Sequence, residues 1–189
     1  MKTTVVIPNY NGKHFLQDCL DSLLQSTVEI AVIVVDNGST DGSVSWIQEH
    51  FPQVKLICFS ENKGFCTAVN TGIEAAATPY VFLLNNDTKT DRFCLERLER
   101  AMEADEKIFS VGAKMLSMKE PELVDTAGDL YSAFGWAYAI GKGRLSSNYT
   151  APKRVFSNCA GAALYRKAHL EQIGGFDELH FAYLEDVDI

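Results

Sequence analysis

Basic residues are in short supply in this sequence: 17 Lys and Arg stand against 25 Asp and Glu over 189 residues, a formal charge of −8. A protein that tracks a phosphate backbone needs a basic face, so this deficit argues against nucleic acid as the partner. Long hydrophobic runs are also missing. The longest apolar stretch, Ile30–Val35, falls far below the roughly 20 residues needed to cross a bilayer. Thr3–Pro8 is only strand-length and follows no charged leader segment, so no secretion signal is read there. The five cysteines, Cys19, Cys58, Cys66, Cys94 and Cys159, form no C-x-x-C pair and have no His at zinc-ligand spacing. They are expected to be free, mostly buried thiols in a reducing cytosol. The Asn-x-Ser/Thr sequons at Asn37, Asn86 and Asn148 are accordingly read as chance matches.

What is present is a globular composition, with 47% apolar and 22% charged residues. A chain of this length buries about 70% of the surface that its unfolded form exposes, so it needs no staple to fold. Thr3–Pro8, Ile30–Asp36, Val54–Phe59 and Tyr80–Asn85 read as buried strands ending in polar or turn residues. Amphipathic helices are expected between and after them. One carries Phe15, Leu16, Cys19, Leu20, Leu23 and Leu24, and another Phe65, Ala68, Val69, Ile73 and Ala76. A further helix over Asp91–Ala104 would turn Phe93, Leu98, Ala101 and Met102 inward, with Asp91 as cap and a Glu96–Arg100 pair outside. This alternation implies an α/β fold, a mostly parallel sheet covered by helices on both faces.

Beyond residue 105 the pattern changes. Phe109–Leu116 reads as a strand, and Glu122–Thr150 as short strands and a loop that orders with ligand. Val155–Cys159 and Ala162–Tyr165 read as strands, before a helix at Lys167–Ile173 stopped by Gly174 and Gly175. The chain is read as one domain, 1–189, with two sub-regions, 1–105 and 106–189.

In an open parallel sheet, ligands bind beyond the carboxyl ends of the strands. Those ends carry Pro8-Asn9-Tyr10-Asn11, Asp36-Asn37-Gly38-Ser39-Thr40-Asp41 and Asn85-Asn86-Asp87-Thr88. Each alone is ordinary turn chemistry; three at one edge suggest a site. Neither G-x-G-x-x-G nor G-x-x-x-x-G-K-[ST] follows the first strand, so no glycine loop cradles a phosphate. An acidic site that receives an anionic diphosphate needs a divalent cation, and Asp87 is the best-placed carboxylate to hold it.

The segments Val5–Asn11, Val34–Gly42, Asn62–Phe65, Leu83–Thr88, Gly174–Glu178 and Leu184–Asp188 together resemble the signatures of family 2 glycosyltransferases. The resemblance implies a GT-A fold and inverting transfer of a sugar from a nucleotide donor to an acceptor hydroxyl. It places Pro8 and Tyr10 at the base pocket, with Asn11, Asp36, Asn70 and Asn86 also on the donor side. Asn85-Asn86-Asp87 occupies the D-x-D position, with Asp87 as metal ligand and Asn85 as a weaker, uncharged one for Mg²⁺ or Mn²⁺. Asp186 matches the catalytic base, while Phe181 and Tyr183 either shape the acceptor pocket or belong to the core. The pairing of the Asp36 and Asp87 motifs resembles the rhamnosyltransferase branch. That implies a dTDP- or UDP-sugar donor and a saccharide or lipid-linked acceptor, in bacterial polysaccharide or cell-wall assembly at the cytoplasmic face of the membrane.

A non-catalytic nucleotide-sugar-binding module would follow from truncation or from a metal site weakened by Asn85. A nucleotidyltransferase is disfavoured, because no basic glycine-rich loop follows the first strand. Because the last motif ends at Ile189, a longer parent enzyme is expected, with further acceptor-side structure.

Overall fold

A computed structural model describes all residues, 1–189. Its first half alternates strand and helix: β1 (Thr3–Asn9), α1 (Lys13–Leu24), β2 (Ile30–Asp36), α2 (Ser43–His50), β3 (Lys55–Cys58), α3 (Phe65–Ala75), β4 (Tyr80–Leu84) and α4 (Cys94–Glu103). There follow the short strands β5 (Ser110–Gly112), β6 (Met115–Leu116), β7 (Val124–Thr126), β8 (Asp129–Tyr131) and β9 (Ala137–Ala139), then β10 (Ala162–Arg166), α5 (Lys167–Ile173) and α6 (Glu185–Asp188).

The main sheet has the order β3-β2-β1-β4-β10-β5. The first four strands are parallel, and β10 pairs antiparallel with both β4 and β5. Two small sheets, β6-β7 and β8-β9, stand apart from it.

The period of two in β1 decides the layering. Val5 and Ile7 face one core, with Leu16, Leu20 and Leu23 of α1, Ile47 of α2 and Leu95, Leu98 and Met102 of α4. Val6 faces the other, with Ala68, Val69 and Ile73 of α3, Leu170 of α5 and Phe176. Both faces being covered, β1 reads as a nearly continuous β-branched run rather than an alternation. Each fully buried aliphatic side chain contributes about 1.5–3 kcal/mol of hydrophobic stabilisation.

Several local expectations are corrected. Asp91 does not cap α4: its side chain accepts the Phe93 N–H and its carbonyl the Cys94 N–H, so it makes the turn ahead of the helix. Glu96 accepts the Thr27 hydroxyl at 2.7 Å rather than pairing with Arg100. Phe93 points outward, flanked by the guanidinium groups of Arg92 and Arg97. All five cysteines are free, but Cys58 is exposed at the edge strand rather than buried. Phe109–Leu116 is broken into β5 and β6, and Val155–Cys159 makes only an isolated bridge from Ser157 to Asp129.

Candidate functional site

The carboxyl ends of β1, β2 and β4 meet at one edge of the sheet, where Asn9 is the hub. It sits opposite Asp36 in the β1–β2 register and is almost fully buried. Its amide nitrogen donates to Asp36 Oδ2 at 2.8 Å and to Ser39 Oγ at 3.3 Å, and its amide oxygen accepts from Asn86 Nδ2 at 2.7 Å. One neutral side chain therefore ties the loops after all three strands. Asp36, 1% exposed, has no cation beside it; its other oxygen accepts the Ser39 N–H at 2.9 Å. Hydrogen bonds from neutral donors compensate its burial.

The loop after β1 is shaped by the loop after β2. Asn11 adopts a left-handed conformation (φ 51°), which Asn tolerates better than most residues. Its Oδ1 accepts the Thr40 N–H at 2.8 Å, and its own N–H donates to Ser39 Oγ at 2.8 Å. Asp41 accepts the Lys13 N–H at the start of α1 at 2.9 Å. At Gly12 a Cβ would overlap the Asn86 amide, so the close approach of the two loops demands glycine. Pro8 is half-buried, while the Tyr10 ring stands 52% exposed and is free to stack on a planar group.

The turn after β4 presents Asp87 to solvent and holds Asn85 half-buried. Asn85 O accepts the Thr88 hydroxyl at 2.7 Å. Behind it, burial pushes the Cys19 thiol up to about 12, with Asp87's charge adding to the effect, so this thiol is inert. No group of three or more His, Cys, Asp or Glu is gathered anywhere to cage a metal. One carboxylate and one amide oxygen do fit a hard cation that takes its other ligands from phosphate and water.

The remaining site residues come from the second half. Asp186 Oδ2 accepts the Ala160 N–H at 3.1 Å, and the next residue, Gly161, accepts the Asn85 N–H at 3.0 Å. The Asp87 turn and Asp186 are thus anchored on consecutive residues of one strand entry. Tyr183 (φ 74°) and Leu184 (φ 66°), just before Glu185, are both left-handed, a costly backbone for side chains of this size. Phe181 and Tyr183 are largely exposed rather than core. Phe181 O accepts the Phe65 N–H at the start of α3 at 2.7 Å, and its backbone and ring lie so close to Gly64 (φ 90°) that no Cβ fits there. Asn70 spends both ends of its amide on the backbone of Phe176, at 2.8 and 3.0 Å, and so joins α3 to this segment.

Two acidic residues beside Asp186 have no role in the motif reading. Burial pushes the Asp129 carboxyl up to about 6, and the negative charge of Asp186 adds to it. Burial also raises Glu185, again with Asp186 contributing. Asp129 Oδ2, Glu185 Oε2 and the Ser157 hydroxyl are buried without hydrogen-bond partners. Burial raises the Tyr165 phenol and the Cys159 thiol, and all three carboxylates add to both, which marks them as one electronegative neighbourhood.

Residues 4–174 match the model of the family described as "Glycosyl transferase family 2". The chain belongs to glycosyl transferase family 2. Among its relatives, an N-acetylglucosaminyl-diphospho-decaprenol L-rhamnosyltransferase of Mycobacterium tuberculosis is 26% identical over 98% of this chain and 68% of that protein. The structure of S. aureus TarS residues 1–349 in complex with UDP-GlcNAc aligns with a TM-score of 0.71 at 19% identity, covering 99% of this chain and 51% of that one. The mannosyltransferase PcManGT from Pyrobaculum calidifontis, in complex with GDP-Man and Mn²⁺, aligns with a TM-score of 0.64 at 20% identity, covering 94% and 48%. The chain thus spans about half the length of these solved structures, and the likeness establishes its fold as GT-A.

Seen as a family 2 glycosyltransferase domain, the chain holds three residues that motif reading passed over: Asn9, Asp129 and Glu185. Asn9 was in plain view beside Pro8 and Tyr10. Nothing local marks Asp129, because its partners Ser157 and Asp186 lie far along the chain.

Proposed function

We propose that this domain transfers a sugar from a dTDP- or UDP-sugar to an acceptor hydroxyl with inversion, in the assembly of a bacterial cell-wall or surface polysaccharide. The observation that carries this reading is the shared anchorage of Asn85 and Asp186 on Gly161 and Ala160. A diphosphate-side turn and a carboxylate base belong next to each other when one carbon is to lose a phosphate and gain an oxygen.

In this reading residues 1–105 bind the donor and 106–189 begin the acceptor side. Tyr10 and Pro8 receive the base, Asp36 and Asn86 hold the loops around the nucleotide through Asn9, Asn11 does so through Ser39 and Thr40, and Asn70 stands on the donor side. Asp87, with Asn85 beside it, would hold a Mg²⁺ or Mn²⁺ ion, which would supply Lewis-acid stabilisation of the leaving group. Asp186 accepts the proton of the acceptor hydroxyl as its oxygen attacks the anomeric carbon. A single displacement of this kind inverts the centre.

The nucleotide choice draws support from the UDP and UDP-GlcNAc complexes of TarS. The acceptor choice, a saccharide on a lipid diphosphate, draws support from the N-acetylglucosaminyl-diphospho-decaprenol in the name of the mycobacterial relative. No helix here is long and apolar enough to cross a membrane. Calorimetry with UDP and dTDP, with and without Mn²⁺, together with a screen of UDP- and dTDP-sugars on lipid-linked saccharides, tests the proposal. The expected result is Mn²⁺-enhanced binding and transfer from one of these donors. Binding without turnover of any of them would favour a binding module, the reading that the uncharged Asn85 keeps open.

A further inference from the structure

The hairpin formed by β8 and β9 is largely uncovered. Leu130 lies opposite Tyr138 on one face and Tyr131 opposite Ala137 on the other. The tip is closed by bonds from the Ser132 N–H to the Trp136 carbonyl at 2.8 Å and from the Gly135 N–H to the Ser132 carbonyl at 3.0 Å. Residues 130–138 read Leu-Tyr-Ser-Ala-Phe-Gly-Trp-Ala-Tyr, without a charge. Phe134 is 90% exposed and Trp136 65%, and Leu130, Tyr131 and Tyr138 are exposed as well. Phe156, also exposed, stacks on Tyr131 with ring centroids 5.5 Å apart.

The charge around this finger runs opposite to that of the whole chain. The chain carries −8, yet no Asp or Glu occurs between Leu130 and Leu170, while Lys142, Arg144, Lys153 and Arg154 do. All four are exposed. Lys142 and Arg144 follow β9, where the Ile140 N–H bonds Gly128 O and the Arg144 N–H bonds Gly141 O. Lys153 and Arg154 lead into Phe156, whose N–H bonds Asp129 O. Lys142 pairs with Asp125 at 3.6 Å, and the other three enter no ion pair. Four exposed basic side chains therefore flank the uncharged aromatic tip in the chain, with Asp125, paired to Lys142, and the half-buried Asp129 at its root.

We propose that the β8–β9 hairpin docks this domain on an anionic lipid bilayer, the aromatic tip entering the interface while Lys142, Arg144, Lys153 and Arg154 meet the headgroups. A surface that buries against another protein presents one apolar face. This finger is exposed on both, which suits insertion into a medium that surrounds it. Tyr and Trp settle at the depth where lipid meets water, and clustered Lys and Arg are drawn to anionic headgroups. The hairpin begins at Asp129, whose carboxyl senses Asp186, so docking would turn the acceptor side toward the bilayer; that last clause alone rests on the proposed function.

Co-sedimentation with vesicles tests this directly. The chain is expected to bind phosphatidylcholine vesicles containing about 30% phosphatidylglycerol, to bind pure phosphatidylcholine at least tenfold more weakly, and to be released by 0.5 M salt. Trp136 fluorescence should shift to the blue on binding and be quenched by brominated lipid; Trp46, partly buried against the core, serves as the internal control. Phe134→Ser/Trp136→Ser should cut partitioning more than tenfold with unchanged thermal unfolding, because both side chains are exposed. Lys153→Glu/Arg154→Glu should do likewise, about fivefold or more for each charge lost. Failure to bind the anionic vesicles, or full binding by both double variants, overturns the proposal. So does a dimer in sedimentation equilibrium that Phe134→Ser/Trp136→Ser dissolves. Vesicle binding requires no sugar transfer, so a chain that docks but transfers nothing would overturn only the functional reading.

Discussion

The two halves of this domain solve the problem of buried polarity differently. In residues 1–105 the polar residues at the strand ends satisfy one another: Asp36, Asn9, Ser39, Asn86 and Asn11 form a closed set of hydrogen bonds. In residues 106–189 strands of two or three residues surround Asp129, Ser157 and Glu185, each with a buried atom that nothing bonds. The first arrangement is a finished mould for a ligand of fixed shape. The second holds unspent hydrogen-bonding capacity beside a carboxylate, as a surface built to receive hydroxyl groups should.

The contrast can be broken at four points. Asp186→Asn keeps an acceptor for the Ala160 N–H but removes the base. Transfer is expected to fall about 10²- to 10⁴-fold while UDP affinity, measured by calorimetry, stays as it was. Unchanged transfer would remove Asp186 from the mechanism. Asp87→Ala should weaken UDP binding at least tenfold in Mn²⁺ and abolish the Mn²⁺ response, whereas a retained response would place the ion elsewhere. Gly12→Ala forces a methyl group into the Asn86 amide and should cost about 1–3 kcal/mol of stability, together with donor affinity. Its counterpart Gly143→Ala, at φ 70° with open space around it, should cost only the left-handed backbone penalty of about 1 kcal/mol and leave UDP binding intact. Equal losses at the two positions would mean that the halves do not differ in closeness of packing.

The smallest effect concerns Asp129. Its carboxyl is raised to about 6 in the folded chain, so the fold prefers it protonated. The stabilisation this gives is complete below about pH 4 and is lost as the pH rises through 6. Asp129→Asn should therefore unfold at higher urea than the parent at pH 7.5, with the difference shrinking toward pH 4. A constant difference across that range would show that the carboxyl does not titrate there.

The first half was largely legible in advance because its signals are local. The β-branched run of β2 appears with the expected bounds, and β1 and β4 end within one residue of theirs. Misreadings arose where a residue had a choice of partners. Asp91 and Glu96 each had a sound local role available; Asp91 shaped the turn ahead of the helix instead, and Glu96 took Thr27 as its partner. The second half was harder to read, since strands of three residues leave no period to detect and Asp129 acquires its character only when Ser157 and Asp186 fold against it. The motif at Asn85–Asp87 was visible as composition. That its backbone shares a strand entry with Asp186 was not, because the two segments lie a hundred residues apart.

The position of Asn9 has a thermodynamic corollary. Because one amide grips the Asp36 loop with its nitrogen and the Asn86 turn with its oxygen, a ligand that tightens either grip pre-orders the other. Nucleoside and diphosphate should then bind more strongly joined than their separate affinities would sum to. In an Asn9→Ala background that cooperativity should vanish, leaving a domain that recognises the two ends of its donor independently.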